Sequence, residues 1–330
     1  MTRDALAVLS DELEIVGLGQ VLAVVPVEGK GLGVRAKDVF EPGQVLFIEH
    51  KLFGQQDIEE SQTIPACSFC MKICDSLCFD CLDGCEQRYC SSACKDTAWR
   101  RFHGLLCPGN DPDRAPYLNL YREFALQTNE SFLVVAQIMA WIILECEESR
   151  KSFSEVVERL GLFAQGIWWD VVPLPEDLDE KDDGDDFRAS MQEVAIDGLQ
   201  VISAALYPFS TMKKFEELFS LDFFASLMGI LELNSVTTMS CSAEGDEVLE
   251  TEGIGLFSII SLMNHSCSPN AALIKLKDCL DDSFAVVAVK EIRLGDEVCI
   301  SYIDEHEDFN KRKSELREYG FSCACSKCSE

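Results

Sequence analysis

Basic residues are scarce in this chain: 28 Lys and Arg stand against 58 Asp and Glu, a formal charge of -30 over 330 residues. So acidic a surface repels phosphate backbones and attracts basic polypeptides, which disfavours direct nucleic-acid binding. Long hydrophobic runs are missing too. The longest, Phe132 to Leu144, is interrupted by Gln137 and falls short of the roughly 20 residues a bilayer span needs, so it reads as a buried helix and no membrane role is expected. The opening Met1-Thr2-Arg3-Asp4 leads into an acidic stretch with no apolar core, so no secretory signal is expected, and there is no internal repeat. What the chain has in excess is cysteine. Seventeen Cys without a secretion signal point away from disulfides and toward thiolate metal ligands in a reducing compartment, cytoplasm and/or nucleus. With 47% hydrophobic residues, the chain should fold into two or three packed subdomains.

The patterning changes along the sequence. From about Leu22 to Glu49, apolar runs alternate with Gly clusters, as strands joined by tight turns would, Val45-Leu46-Phe47-Ile48 being the clearest strand. From Pro116 to about Phe224 the spacing is helical, with Phe132 to Leu144 apolar nearly all round and Ser152 to Phe163 and Phe187 to Ala205 amphipathic. Pro175 to Phe187, with eight carboxylates and one Lys, reads as an exposed, mobile acidic loop. Beyond Ser226 strand-like runs return, notably Phe284 to Val289 and Val298 to Tyr302.

Nine of the 17 Cys fall between Cys67 and Cys107, a density no hydrophobic core requires. Cys67 and Cys70, and Cys78 and Cys81, are separated by two residues, and Cys90 and Cys94 are followed by His103 and Cys107 on a Trp-containing helical stretch. Such spacings let short turns present ligands at the ~2.3 Å that tetrahedral zinc requires. The run resembles a MYND zinc finger, including Tyr89-Cys90-Ser91, Trp99 and the closing His103 and Cys107. That resemblance implies two interleaved zinc ions: one held by Cys67, Cys70, Cys90 and Cys94, the other by His103, Cys107 and two more thiolates. The second pair is Cys78 with Cys81 or Cys81 with Cys85. Counting back from Cys90, the family's spacing favours Cys81 and Cys85, leaving Cys74 and Cys78 spare.

Two further segments answer one another. Asn264-His265-Ser266-Cys267-Ser268-Pro269-Asn270 is matched downstream by Gly295-Asp296-Glu297-Val298-Cys299-Ile300-Ser301-Tyr302, and the chain closes on Cys323-Ala324-Cys325-Ser326-Lys327-Cys328. Together they resemble the catalytic half of a SET-domain lysine methyltransferase. Gly29-Lys30-Gly31-Leu32-Gly33-Val34 stands where SET enzymes let the backbone approach the methionyl end of S-adenosylmethionine. From about Leu22 to Cys328, the order of parts resembles that of SET and MYND domain-containing protein-lysine methyltransferases, in a short form lacking their C-terminal helical-repeat domain.

The resemblance implies an α+β fold: a SET-domain β-clip of short strands with a pseudoknot, split by the zinc finger and a helical insert. Its expected parts are 1–66, the first half of SET; 67–107, the finger; 108–225, the helical insert; 226–305, the catalytic half; and 306–330, a post-SET tail. It implies S-adenosylmethionine contacts from Lys30, Gly31, Leu32, Gly33, Asn234, Asn264, His265, Tyr302 and Phe321, with Asn270 bracing the crossing. Tyr302 is the implied catalytic residue, its hydroxyl orienting the target nitrogen. The tail's C-x-C-x-x-C spacing supplies three thiolates, one short of a tetrahedral site, and Cys267 is the natural fourth beside Cys323, Cys325 and Cys328, so three zinc ions are expected in all. Outside this context, His265 would read as a core imidazole and Tyr302 as a core residue with a wet tip.

The expected activity is methyl transfer from S-adenosylmethionine to a lysine of a histone or other basic protein, by a monomer, with a proline-containing peptide as a further partner of the finger. The alternative is a catalytically silent SET-MYND scaffold that docks such peptides in transcriptional regulation. The target protein and lysine, and the number of methyl groups added, are not legible in the sequence.

Overall fold

The computed structural model of the protein describes residues 13, 17–74, 78–82, 85–109, 111–175, 178–181, 183–206, 214–244, 247–276 and 281–329. β1 (Leu22–Val27) and β2 (Gly31–Ala36) form a hairpin with Leu22 opposite Ala36 and Val27 opposite Gly31. Its turn needs Gly29 and Gly31 at φ +74° and +78°, a region that disfavours any side chain. β3 (Val45–Glu49) and β4 (Phe53–Gln56) follow, and β5 (Phe79–Asp80) and β6 (Arg88–Tyr89) form a small ribbon within the cysteine block. The late strands are β7 (Val236–Glu244), β8 (Glu247–Leu256), β9 (Ala271–Ile274), β10 (Phe284–Ala288) and β11 (Glu297–Val298).

Early strands pair with late ones. The sheet orders are β1-β2-β11, β3-β10-β9 and β4-β8-β7, so the segments flanking the finger and helices interleave in one body. The Asn264 to Asn270 segment then crosses the stretch after β11. Ile300 donates its N–H to the Asn264 carbonyl (3.1 Å), Ser266 donates to the Ile300 carbonyl (2.9 Å), and Ala271 to the Cys299 carbonyl (3.1 Å). Asn270 braces this crossing, as expected. Its side chain donates to the Glu297 carbonyl (2.9 Å) and accepts from the Cys299 N–H (2.8 Å).

The helices fill the middle: α1 (Ser92–Ala98), α2 (Ala115–Gln127), α3 (Ser131–Glu148), α4 (Gly184–Leu206), α5 (Leu221–Asn234) and, after the crossing, α6 (Phe309–Glu318). α3 is buried on nearly every face, which is what its unbroken apolar pattern demands. Phe132 meets Phe124 at 4.9 Å and Trp168 at 5.6 Å edge-on and stacks on Phe224 at 6.0 Å, and full burial of such a ring contributes roughly 1.5–3 kcal/mol. Gln137, the polar interruption, explains how α3 docks on the strands. Its amide donates to the Gly54 carbonyl (3.2 Å) and accepts from the Gly54 N–H (3.4 Å), pairing backbone groups of β4 that face away from β8.

Several expectations change in detail. The helix expected over Ser152 to Phe163 is a capped α-turn, Phe153–Val157, continued by a 3-10 turn over Glu158–Leu162. The acidic loop is shorter and tighter than expected, because α4 already begins at Gly184 and Arg188 pairs with Glu180 at 2.6 Å; residues 176, 177 and 182 of that stretch lie outside the described residues. The expected boundary at 225/226 falls inside α5, whose buried apolar face runs on to Leu231. The strand expected over Val298 to Tyr302 ends at Val298, since beyond it the chain leaves β2 and crosses the Asn264 segment, with one parallel bridge between His265 and Ile300. Among the described residues, no helix is long and apolar enough to cross a membrane.

Candidate active site and metal centres

Among the described residues, three cysteine donor sets converge, each with its ligand atoms within 4.8 Å of one another: Cys67, Cys70, Cys90 and Cys94; Cys81, Cys85, His103 and Cys107; and Cys267, Cys323, Cys325 and Cys328. Local structure explains the first. Ser91 caps α1 by accepting from the Cys94 N–H (3.1 Å), which turns Cys94 back toward Cys90, their sulfurs 3.6 Å apart. In the second set, α1 widens into a π-type turn over Trp99–His103 that buries His103 against Trp99 and Tyr89, 3.4 Å from both Cys81 and Cys85. In the third, Cys267 at the crossing lies 3.5 Å from Cys328 in the tail.

These separations fit a metal. A tetrahedral ion with ~2.3 Å sulfur bonds has sulfurs about 3.8 Å apart, whereas bare thiolates that close would repel. The choice left open for the second set falls on Cys81 and Cys85. Cys78 is instead bonded to Cys74, with Cα atoms 5.8 Å apart, so the two cysteines expected to be spare pair with each other in a chain whose cysteine usage points away from disulfides. Neither sulfur belongs to a donor set, so their pairing leaves all three sets whole.

The third set is joined to the crossing by His265. Its Nδ1 accepts the Tyr302 N–H (3.0 Å), so Nε2 carries the proton and faces Cys267 Sγ at 3.2 Å. Burial, reinforced by the charges of Lys30 and Arg312, pulls this imidazole down to about 4 and keeps it neutral. Both ring nitrogens are therefore engaged within the protein, and only backbone groups of His265 remain for a ligand. Arg312, buried, sets its guanidinium 3.8 Å from Cys328 Sγ, where it offsets thiolate charge.

Around Tyr302 an open cleft of about 650 Å³ is lined by α5's last turn, Ile260, Ser261, Ile300, Tyr302 and Tyr319, and among the described residues that line it the two phenols are the only ionisable groups. The Tyr302 hydroxyl donates to the Met263 carbonyl at 2.6 Å. Burial raises its pKa well above the ordinary phenol value, so it stays protonated. Phe321 sits over the pair, its ring 5.9 Å from His265 and 6.3 Å from Tyr302.

Not every expected contact is available to a ligand. The Asn234 amide is spent on the Ala164 N–H (2.9 Å), the Ala164 carbonyl (3.0 Å) and the Ile230 carbonyl (2.8 Å), although its residue does line the cleft. The Asn264 amide donates to the Leu32 carbonyl (2.9 Å) and to Glu297 (2.8 Å), and Lys30 pairs with the other Glu297 oxygen at 3.0 Å. Gly33 permits this closeness, since a Cβ there would lie 2.7 Å from the Asn264 amide. Gly31 and Leu32 contribute backbone beside it, so the early Gly-rich turn and the late motif do meet.

Two residues were not foreseen. Glu297 gathers Lys30 and Asn264, and its only sequence signal is its place one residue after the Gly295-Asp296 turn. Tyr319 lies 5.2 Å ring to ring from Tyr302 and donates its hydroxyl to the Tyr302 carbonyl at 3.2 Å. Its signal is an aromatic two residues before Phe321, on the segment that the tail cysteines pin.

The sequence matches the SET domain family over residues 31–303. The chain belongs to the SET-domain family. Among its relatives, histone-lysine N-methyltransferase ATXR2 of Arabidopsis thaliana is 30% identical over 298 residues, covering 76% of this chain and 62% of the relative. A SET and MYND domain-containing protein of Dictyostelium discoideum is 28% identical over 253 residues, 74% of this chain and 65% of its own. Protein-lysine N-trimethyltransferase SMYD5 of Mus musculus is 24% identical over 372 residues, covering 91% and 84% of the two chains. The chain thus spans a little under two thirds of the plant and Dictyostelium relatives. The resemblance to SET and MYND proteins and the α+β fold of interleaved short strands both stand.

Proposed function

We propose that this SET-domain protein is an S-adenosylmethionine-dependent protein-lysine N-methyltransferase acting on a lysine of a histone or other basic protein. The observation that carries the reading is the Tyr302 hydroxyl, whose proton is committed to the Met263 carbonyl at 2.6 Å. Its oxygen lone pairs are left for the cleft, where they can accept from the target nitrogen and hold it in line for attack.

A lysine attacks only as the neutral amine, and losing the proton at neutral pH costs about 4 to 5 kcal/mol. A carboxylate in the cleft would raise that cost by favouring the ammonium, and none stands among the described residues that line it. Tyr302 stays protonated and is no base, so the proton leaves to water. S-adenosylmethionine, when bound, supplies an electrophilic methyl group on a positively charged sulfonium. Backbone about Lys30 to Gly33 and at Asn264 and His265 would hold it, and Tyr302 would orient the neutral amine toward the methyl group it supplies. The net charge of -30 suits a basic polypeptide arriving from solution.

The three donor sets are proposed zinc sites: two fix the finger, and the third pins Tyr319 and Phe321 over Tyr302. The test is transfer of labelled methyl from S-adenosylmethionine to proteins of a mixed extract by wild type and Tyr302→Phe. Labelling of a basic protein by wild type, reduced roughly 10²-fold in the variant, is expected. No labelling by zinc-replete wild type would sink the proposal and favour the scaffold reading.

A further inference from the structure

Glu49 ends β3, and the carboxylate of this half-buried residue turns inward to the segment that precedes Asn264. Its oxygens accept from the Ile259 N–H (2.9 and 3.2 Å) and the Ile260 N–H (2.9 Å). These amides open the 3-10 turn Ile260–Leu262, closed by Leu262 N–H to Ile259 carbonyl (2.9 Å) and Met263 N–H to Ile260 carbonyl (3.0 Å). Ile260 and Ser261 form cleft wall, and the Met263 carbonyl, two residues past Ser261, accepts from the Tyr302 hydroxyl. One carboxylate therefore ties β3 to the wall of the cleft and, two hydrogen bonds on, to the Tyr302 hydroxyl. No residue of the sequence motifs makes this link.

We propose that Glu49 is a positioning residue for methyl transfer, its carboxylate fixing the Ile260–Leu262 turn so that the Met263 carbonyl stands where the Tyr302 hydroxyl needs it. This rests on the methyltransferase reading above. The ionised form can accept from both amides with both oxygens, and protonation converts one oxygen to a donor facing donors. Burial lifts this carboxyl to about 7, against the pull of the amides at Ile260, Ile259 and Ser258, so its protonation falls within the working range. The charged neighbour that acts on it is His50, next along the chain; Arg101 and Arg159 face the cavity that Ser258 lines, from the finger and the helical insert. Across the sheet, Glu49 stands opposite the uncharged Phe284 of β10.

The test is a double-mutant cycle read by labelled methyl transfer. Glu49→Gln is expected to lower kcat/KM about tenfold in the wild-type background and less than about twofold where Tyr302 is already Phe, because the hydroxyl it positions is gone. Equal losses in both backgrounds, with active wild type, overturn this inference alone. An inactive wild type overturns the enzyme reading and this inference with it. If Glu49→Gln does not fold, the pH profiles of wild type and Tyr302→Phe decide. The lysine's own titration is common to both and cancels in their ratio, which should shrink several-fold between about pH 8 and about pH 6. A ratio flat across that range overturns the inference.

Discussion

The backbone N–H of Tyr302 donates to Nδ1 of His265 at 3.0 Å, with the two rings 5.3 Å apart. These residues are 37 positions apart in sequence and meet only because the Asn264 segment crosses the end of the last strand pairing. Since Nε2 of the same ring faces Cys267 Sγ, the imidazole links a thiol of the proposed tail zinc site to the backbone of the proposed catalytic residue.

Replacing His265 by Ala should therefore act on Tyr302 more than on folding of the chain as a whole. It orphans the Tyr302 N–H, a loss of about 1–3 kcal/mol for a buried donor, and kcat/KM should fall roughly 10- to 100-fold. His265→Asn, whose carbonyl can accept from the Tyr302 N–H, should recover part of it. Labelled methyl transfer measures both variants, and full activity in His265→Ala would break the proposed link.

Removing the tail metal should disarm the site before the core melts. Cys325→Ser deletes one ligand of the third set, and metal analysis should drop from three to two zinc ions per chain. Tyr319 and Phe321 then lose their anchor over Tyr302, so activity should fall at least about tenfold. Thermal unfolding of the α3 core should shift by only a few degrees. Undiminished activity at two zinc ions per chain would show that the aromatics need no metal to hold them.

Gln137 offers a test of the fold alone. Its replacement by Leu leaves the Gly54 N–H and carbonyl of β4 without their partner inside the protein, at about 1–3 kcal/mol for each group left unpaired. Denaturant unfolding should show a loss on the order of 2–4 kcal/mol, although Leu is more apolar and continues the pattern of α3. A stabilised variant would mean that this edge of β4 is satisfied in another way.

That Gln also shows where sequence reading stops. Its interruption of an apolar run is visible, but its partner is a backbone pair 83 residues away, fixed only once α3 lies on β4. The three cysteine donor sets were legible because a tetrahedral zinc site would demand these residue types at short spacings, and the resemblance already favoured Cys85 over Cys78, the pairing the fold brings together. Lys30, Asn264 and Asn234 were visible as motif positions, whereas the engagement of their polar ends by Glu297, Leu32 and Ala164 depends on tertiary approach. The strand expected over Val298 to Tyr302 misled for a similar reason: its apolar alternation buries residues at a chain crossing, not along a ladder. Glu49 carries no pattern at all beyond ending a strand.

Glu49 should also leave a mark on stability with a sign of its own. In the unfolded chain its carboxyl titrates near its ordinary value of 4.5, and in the fold burial raises it to about 7. The folded state thus holds a proton that the unfolded state has released between these values, and the associated stabilisation is present below about pH 4.5 and lost as pH rises through about 7. The difference is on the order of 3 kcal/mol across that window. Glu49→Gln cannot titrate, so the unfolding free energy of wild type minus that of the variant should decline as pH climbs from about 5 to about 8, then level off. The sign runs opposite to the activity expected of the same residue. Ionised Glu49 destabilises the fold while aligning the turn under Tyr302, and equilibrium denaturation of both proteins across this range would expose a wrong assignment as a difference that stays flat or grows with pH.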